Sequence, residues 1–151
     1  MIEILKHFVL SDFDAAGEPG TGQNMRISTL MKVDAMREAY GKAITIRHGF
    51  RTKTAAFRIQ KAHPGAVKNS AHEHGYAVDC RPSAGFKNYG DWLDFMDAAW
   101  EAGFRRFGVM ANTIHLDDDP NRATPACWKY ATTLPGIWDA VSGWYAKKTG
   151  K

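Results

Sequence analysis

The stretch Ser70-Ala71-His72-Glu73-His74-Gly75-Tyr76-Ala77-Val78-Asp79 sets two histidines and two carboxylates within ten positions, and its second half reads as a buried strand. Imidazole and carboxylate are suitable zinc ligands, and three protein ligands with one position left open is the arrangement that catalysis requires. The same residue types recur downstream in Thr113-Ile114-His115-Leu116-Asp117. Taken singly, each of these residues is better read as a solvated polar side chain on a half-exposed strand. Taken together they ask for a common explanation.

Strand alternation supplies one. From Tyr76 to Arg81, the residues Tyr76, Val78 and Cys80 share one face, and Ala77 and Asp79 share the other. In the second stretch Ile114 and Leu116 point to the core, while Thr113, His115 and Asp117 point away from it. If the two strands lie near each other, two carboxylates and a histidine converge on one face. His72, just before the Gly75 turn, can fold over them.

The elements that must hold these strands are readable from periodicity. A helix is predicted through RISTLMKVDAMREAYG, with Ile27, Leu30, Met31, Met36 and Ala39 roughly on one stripe and Gly41 as its stop. Ala43–Arg47 reads as a strand, about Lys53–Ala62 as a helix before the Pro64-Gly65 break, and DWLDFMDAAWEAG as a strongly amphipathic helix. In the last, Trp92, Phe95, Met96 and Ala99 face in, and Gly103 ends it. Phe107–Met110 and Thr113–Asp117 form two strands joined by a tight turn through Ala111-Asn112, and Leu134–Tyr145 closes as a helix. Helices and strands mix without a regular βαβ repeat, so the expected class is α+β with a small, largely antiparallel sheet.

Composition sets the outer bounds. A chain of 151 residues, 44% hydrophobic and without a linker or repeat, is read as one domain over residues 1–151. Its net charge of +4 suits polyanionic surroundings, but the closest approaches to a basic run are Arg105-Arg106 and Lys147-Lys148. A nucleic-acid binder more often shows a true cluster, so nucleic acid is not an expected partner. No apolar stretch approaches the ~20 residues that span a bilayer, so membrane insertion is not expected either. The start MIEILKHFVLSDFD lacks the parts of a signal peptide, which predicts synthesis in the cytoplasm. Cys80 and Cys127 are too few for a disulfide framework; a single bridge between them is one reading, and two free, buried thiols is the favoured one.

The sequence also resembles a family. SAHEHGYAVD fits S-x-H-x-x-G-x-A-x-D, a pattern of the zinc D-alanyl-D-alanine carboxypeptidases and the phage L-alanyl-D-glutamate endopeptidases, whose fold is shared with the hedgehog signalling domain. Ile46-Arg47-His48-Gly49-Phe50-Arg51-Thr52 is similar to the family's I-x-S-G-[FY]-R-T. Gly108-Val109 followed by Ile114-His115-Leu116-Asp117 resembles its G-[IV] and H-x-D strands, and Arg122 and Trp128 look like positions that follow them in some members. The likeness covers roughly residues 7–128. It implies a hedgehog/DD-peptidase-like fold, zinc held by His72, Asp79 and His115, Arg51 on a substrate carbonyl or carboxylate, and Ser70 lining the site.

Two departures stand out. His48 replaces the usual Ser before Gly-Phe-Arg and changes a substrate-facing wall. Several members carry Glu or Asp three residues before the last zinc histidine as general base, and here that position is Asn112, which cannot take a proton. Asp117 is then the first choice for the base, with His74 and Glu73 behind it. Alternatively, Asp117 orients a ligand from the second rank.

The resemblance therefore implies a monomeric, endolysin-like zinc peptidase acting on peptidoglycan stem peptides at the bacterial wall, phage-encoded or carried on a virion. A zinc-containing but inactive module for wall peptides or a protein partner is the alternative.

Overall fold

The computed structural model describes residues 5–66 and 68–150. The N-terminal segment read as lacking a signal peptide begins in residues 1–4, outside the described residues. Helix α1 spans Ile27–Tyr40, strand β1 Ile44–His48, α2 Lys53–Ala62, β2 Ala77–Pro82 and α3 Tyr89–Ala102. Strands β3 Arg106–Val109, β4 Ile114–Asp117 and β5 Ala126–Lys129 follow, and α4 Pro135–Thr149 ends the fold. Among the described residues no helix is long and apolar enough to cross a membrane.

The strands form one sheet in the order β1-β2-β4-β3-β5, antiparallel throughout except where β5 runs parallel to β3. This is the expected α+β class: a mixed five-stranded sheet flanked by four helices. One face of the sheet is the floor of the core. Val78, Cys80, Phe107, Val109, Ile114 and Leu116 are fully buried there, among Leu30, Val33 and Met36 of α1, Trp92, Phe95, Met96 and Ala99 of α3, and Val141 and Trp144 of α4. The parity read from both strands is therefore correct, and the aromatic stripe of α3 is core. Asn88 caps α3 through its side-chain oxygen, and Gly103 ends it in the left-handed conformation.

The structure corrects two expectations. In α1 the buried stripe is Thr29, Leu30, Val33 and Met36, whereas Ile27, Met31 and Ala39 are exposed. The helix is turned by a polar clamp: Thr29 Oγ1 and Ser28 Oγ donate to Asp118, and Lys32 pairs with the same carboxylate at 2.9 Å. The second correction is β5, which the sequence reading passed over. Its four residues are half-buried or exposed, so no apolar alternation marks it. Both cysteines are free as expected, but only Cys80 is buried; Cys127, on β5, is half-buried.

Since Phe95 touches Tyr40 and Phe86 edge-on within the core, Phe95→Ala should cost about 3–5 kcal/mol. Urea unfolding checks this; a loss below about 1 kcal/mol would take the α3 stripe out of the core.

Candidate metal centre

The second face of the sheet carries the chemistry. Reading across the strands by register, His48 pairs with Asp79, Asp79 with His115, His115 with Gly108 and Gly108 with Trp128. Paired residues lie on the same face. One transverse row thus runs His48–Asp79–His115–Gly108–Trp128, and a neighbouring row holds Ala77, Asp117, Arg106 and Ala126. Ala77, beside Asp79 on this face, is itself fully buried.

His72 enters from above on a short 3-10 turn, Ala71–His74. Ser70 caps the turn, its Oγ accepting from His72 N, while Glu73 Oε2 accepts from Ser70 N at 2.7 Å. Gly75 closes the turn at φ 77°, and a Cβ there would stand 2.5 Å from Asn24 O. Only glycine fits both demands. The turn is then pinned from below, because Arg51 N donates to His72 O at 3.0 Å.

Ligand atoms of His72, Asp79 and His115 converge within 4.8 Å of one another, all three residues being buried. Asp79 Oδ1 lies 3.2 Å from His72 Nε2 and 2.9 Å from His115 Nδ1. Each ring is held by its far nitrogen. His72 Nδ1 is 2.8 Å from Gly49 O, and His115 Nε2 is 2.8 Å from Asp117 Oδ2. With those outer nitrogens donating N–H, both inner nitrogens present lone pairs toward a carboxylate. Acceptors facing acceptors in a buried site require a cation between them, and two imidazoles with one carboxylate are a fitting donor set for zinc.

Without a metal, a proton takes that place. Burial disfavours the imidazolium, yet hydrogen bonds to Asp117 and Asp79 and the charges of both carboxylates lift His115 to about 9. Burial likewise opposes ionisation of Asp79, but the His72 charge and hydrogen bonds from His115, His48 and His72 hold it well below the usual carboxylate range.

The other expected site residues divide. His48 Nδ1 lies 3.2 Å from Asp79 Oδ2, with its side chain 59% exposed at the rim. Ser70 is buried as the turn's cap. Arg51 is half-buried next to His72 in the backbone hydrogen-bond pattern. Asp117 faces away from Asp79 across the His115 ring: Oδ2 takes His115, and Oδ1 takes Arg106 Nε at 2.8 Å and Asp119 N at 3.2 Å. Glu73 is spent on its cap. His74 Nε2 meets Asn69 Oδ1 at 2.6 Å and lines a separate basic cavity of about 550 Å³ with Arg26, Lys68 and Arg122. Asn112 is exposed in the β3–β4 turn and accepts from Thr113 Oγ1.

Sequence reasoning missed Arg106 as Asp117's partner; it had registered only as half of a basic pair. The wall built by β5 was missed with its strand. Trp128 lies 5.5 Å from the His115 ring, and a Cβ on Gly108 would collide with both Trp128 and Tyr130. Gly108 is therefore the space into which two aromatic rings fold beside the site. Its register with both His115 and Trp128 comes from the sheet, and no sequence signal marked it.

Residues 6–117 match the peptidase M15 family. No curated protein matches the chain significantly.

Loss of any ligand should remove most of the metal, because a three-ligand site holds no spare protein ligand. His72→Ala, Asp79→Ala and His115→Ala should purify with little zinc by elemental analysis, and His74→Ala with a full complement. Asp117→Asn should weaken zinc about 10–100-fold by releasing the His115 ring. Unchanged affinity in Asp117→Asn would instead free this carboxylate for the base's role.

Proposed function

Since the chain belongs to the peptidase M15 family, we propose that it is a zinc metallopeptidase hydrolysing peptide bonds in bacterial peptidoglycan stem peptides. The observation that carries the metal assignment is the buried His72–Asp79–His115 cluster, whose outer nitrogens are both engaged and whose inner ones converge. A zinc ion bound there would polarise a scissile carbonyl and bring the pKa of a coordinated water to about 7.

The chain's own side chains supply the rest. Arg51, fixed beside His72 by its backbone, presents a guanidinium to the oxyanion that develops on the carbonyl. Asp117 is best read as a positioning residue, since both its oxygens are occupied by His115, Arg106 and the Asp119 amide. The proton acceptor must then come from elsewhere, and His48 is the candidate, since it meets Asp79 at the rim of the cluster. Asp79 Oδ2 accepts from its Nδ1–H, which leaves Nε2 as the lone pair on a ring exposed at the rim. A histidine in place of the family's serine thus answers the missing acid at Asn112. Ser70 acts through the turn it caps, and the aromatic wall of Trp128 and Tyr130 gives a peptide backbone an apolar side to lie against.

The zinc-loaded protein incubated with purified peptidoglycan should release new peptide termini identifiable by mass spectrometry. His48→Gln should keep its zinc and lose about 10²–10⁴-fold of the rate. Arg51→Ala should also keep its zinc and its melting temperature while losing turnover. Intact zinc with no release of wall peptide by the parent protein would favour a binding module instead.

A further inference from the structure

One polar atom on the face that carries Asp79 and His115 has no partner in the protein. Among the described residues, Arg81 Nε is the one buried side-chain nitrogen or oxygen without a hydrogen-bond partner. Arginine is permanently charged, so an orphaned Nε away from water is costly, and such exceptions call for a missing partner. Arg81 lies on β2 two residues beyond Asp79, on the same face by alternation. Register pairs it with Thr45, and one further antiparallel step sets the buried Thr113 opposite it. The nearby polar groups are already committed. Thr45 Oγ1 bonds Ser83 Oγ, Thr113 Oγ1 donates to Asn112, and Asp79 takes three histidines.

We infer that Arg81 forms an anionic subsite that takes a carboxylate of the bound peptide, an assignment that rests on the peptidase reading and narrows its substrate class. Two residues along a strand span about 7 Å. Consecutive peptide Cα atoms are about 3.8 Å apart, so a carboxylate one or two residues from the scissile carbonyl reaches Arg81 while that carbonyl lies at the His-Asp-His cluster. Guanidinium and carboxylate match as paired donors and acceptors, and the Nε–H is one prong of that fork. The direction is set as well. The row on the other side of the cluster is filled by the Asp117–Arg106 pair, and Arg106 is tied on to Ala123 O. The Arg81 row is the side left for substrate.

The carboxylate can be a chain terminus or the α-carboxylate of a γ-linked D-glutamate, and two probe pairs separate them. The first is N-acetyl-D-alanine against its amide. The second is N-acetyl-D-glutamate γ-methylamide against the corresponding α-amide. Titrated into the zinc-loaded protein, an acid probe should move the Arg81 Nε–H resonance and bind about tenfold or more tightly than its amide. Arg81→Gln should bring that ratio to about one with zinc content unchanged, and Arg81→Lys should keep only part of it. Preference in the first pair assigns a terminal carboxylate, in the second a branch carboxylate. If neither acid moves the resonance, or Arg81→Gln keeps the preference, the subsite is overturned. These readouts need no turnover. A protein that fails to digest peptidoglycan yet shows the preference loses the hydrolase reading alone, and one that digests it without the preference loses the subsite alone.

Discussion

A buried carboxylate facing two imidazole lone pairs cannot stand without positive charge between them, and the rest of this structure is arranged to enforce that confrontation. Asp79 is fixed by its register between β1 and β4. His115 is fixed by the same register and locked in rotation by Asp117. His72 is brought over the sheet by a capped 3-10 turn whose own carbonyl is tied to Arg51 N. Low dielectric strengthens every one of these interactions and makes an unfilled site expensive. Filling it with a metal couples ligand geometry to folding.

The support extends well beyond the ligands. Asp118, one residue past β4, gathers Ser28, Thr29 and Lys32, so the first turn of α1 is anchored to the strand that carries His115. Arg26, just before that helix, donates to His74 O and lies over the Tyr76 ring at 5.0 Å, holding the end of the His72 turn. Arg106 joins β3 to Asp117 on β4 and passes on to the loop before β5. Two polar networks therefore brace these strands at one end, where Asp117, Asp118, Arg106 and Ala77 lie together, while the apolar face below is packed by α1, α3 and α4. Function occupies the face that the core does not need.

Much of this was legible because a strand's period of two separates the polar, site-facing residues from the core. Val78 and Cys80, Ile114 and Leu116 are apolar in alternation with Asp79, His115 and Asp117, so parity alone assigned both faces. The α3 stripe was equally plain, its bulk being aromatic and evenly spaced. Ile27 and Met31 misled because apolar type was taken for burial, when a buried Thr29 bonded to the distant Asp118 carboxylate set the rotation of α1. Strand β5 was illegible for a related reason: its order comes from parallel pairing to β3 and from rings seated on Gly108, neither of which leaves a periodic trace. Asp117 was read as either the base or the support of a ligand, and which side of His115 it occupies depends on a ring rotation that sequence does not encode.

In the proposed zinc site the two histidines would meet the metal through different nitrogens, each dictated by what holds the other one. Long-range ¹H–¹⁵N correlation spectra of the histidine rings in zinc-loaded protein read this directly. The geometry predicts His72 bound through Nε2 with Nδ1–H donated to Gly49 O, and His115 bound through Nδ1 with Nε2–H donated to Asp117. Either ring left free of zinc, or bound through the opposite nitrogen, would contradict the account.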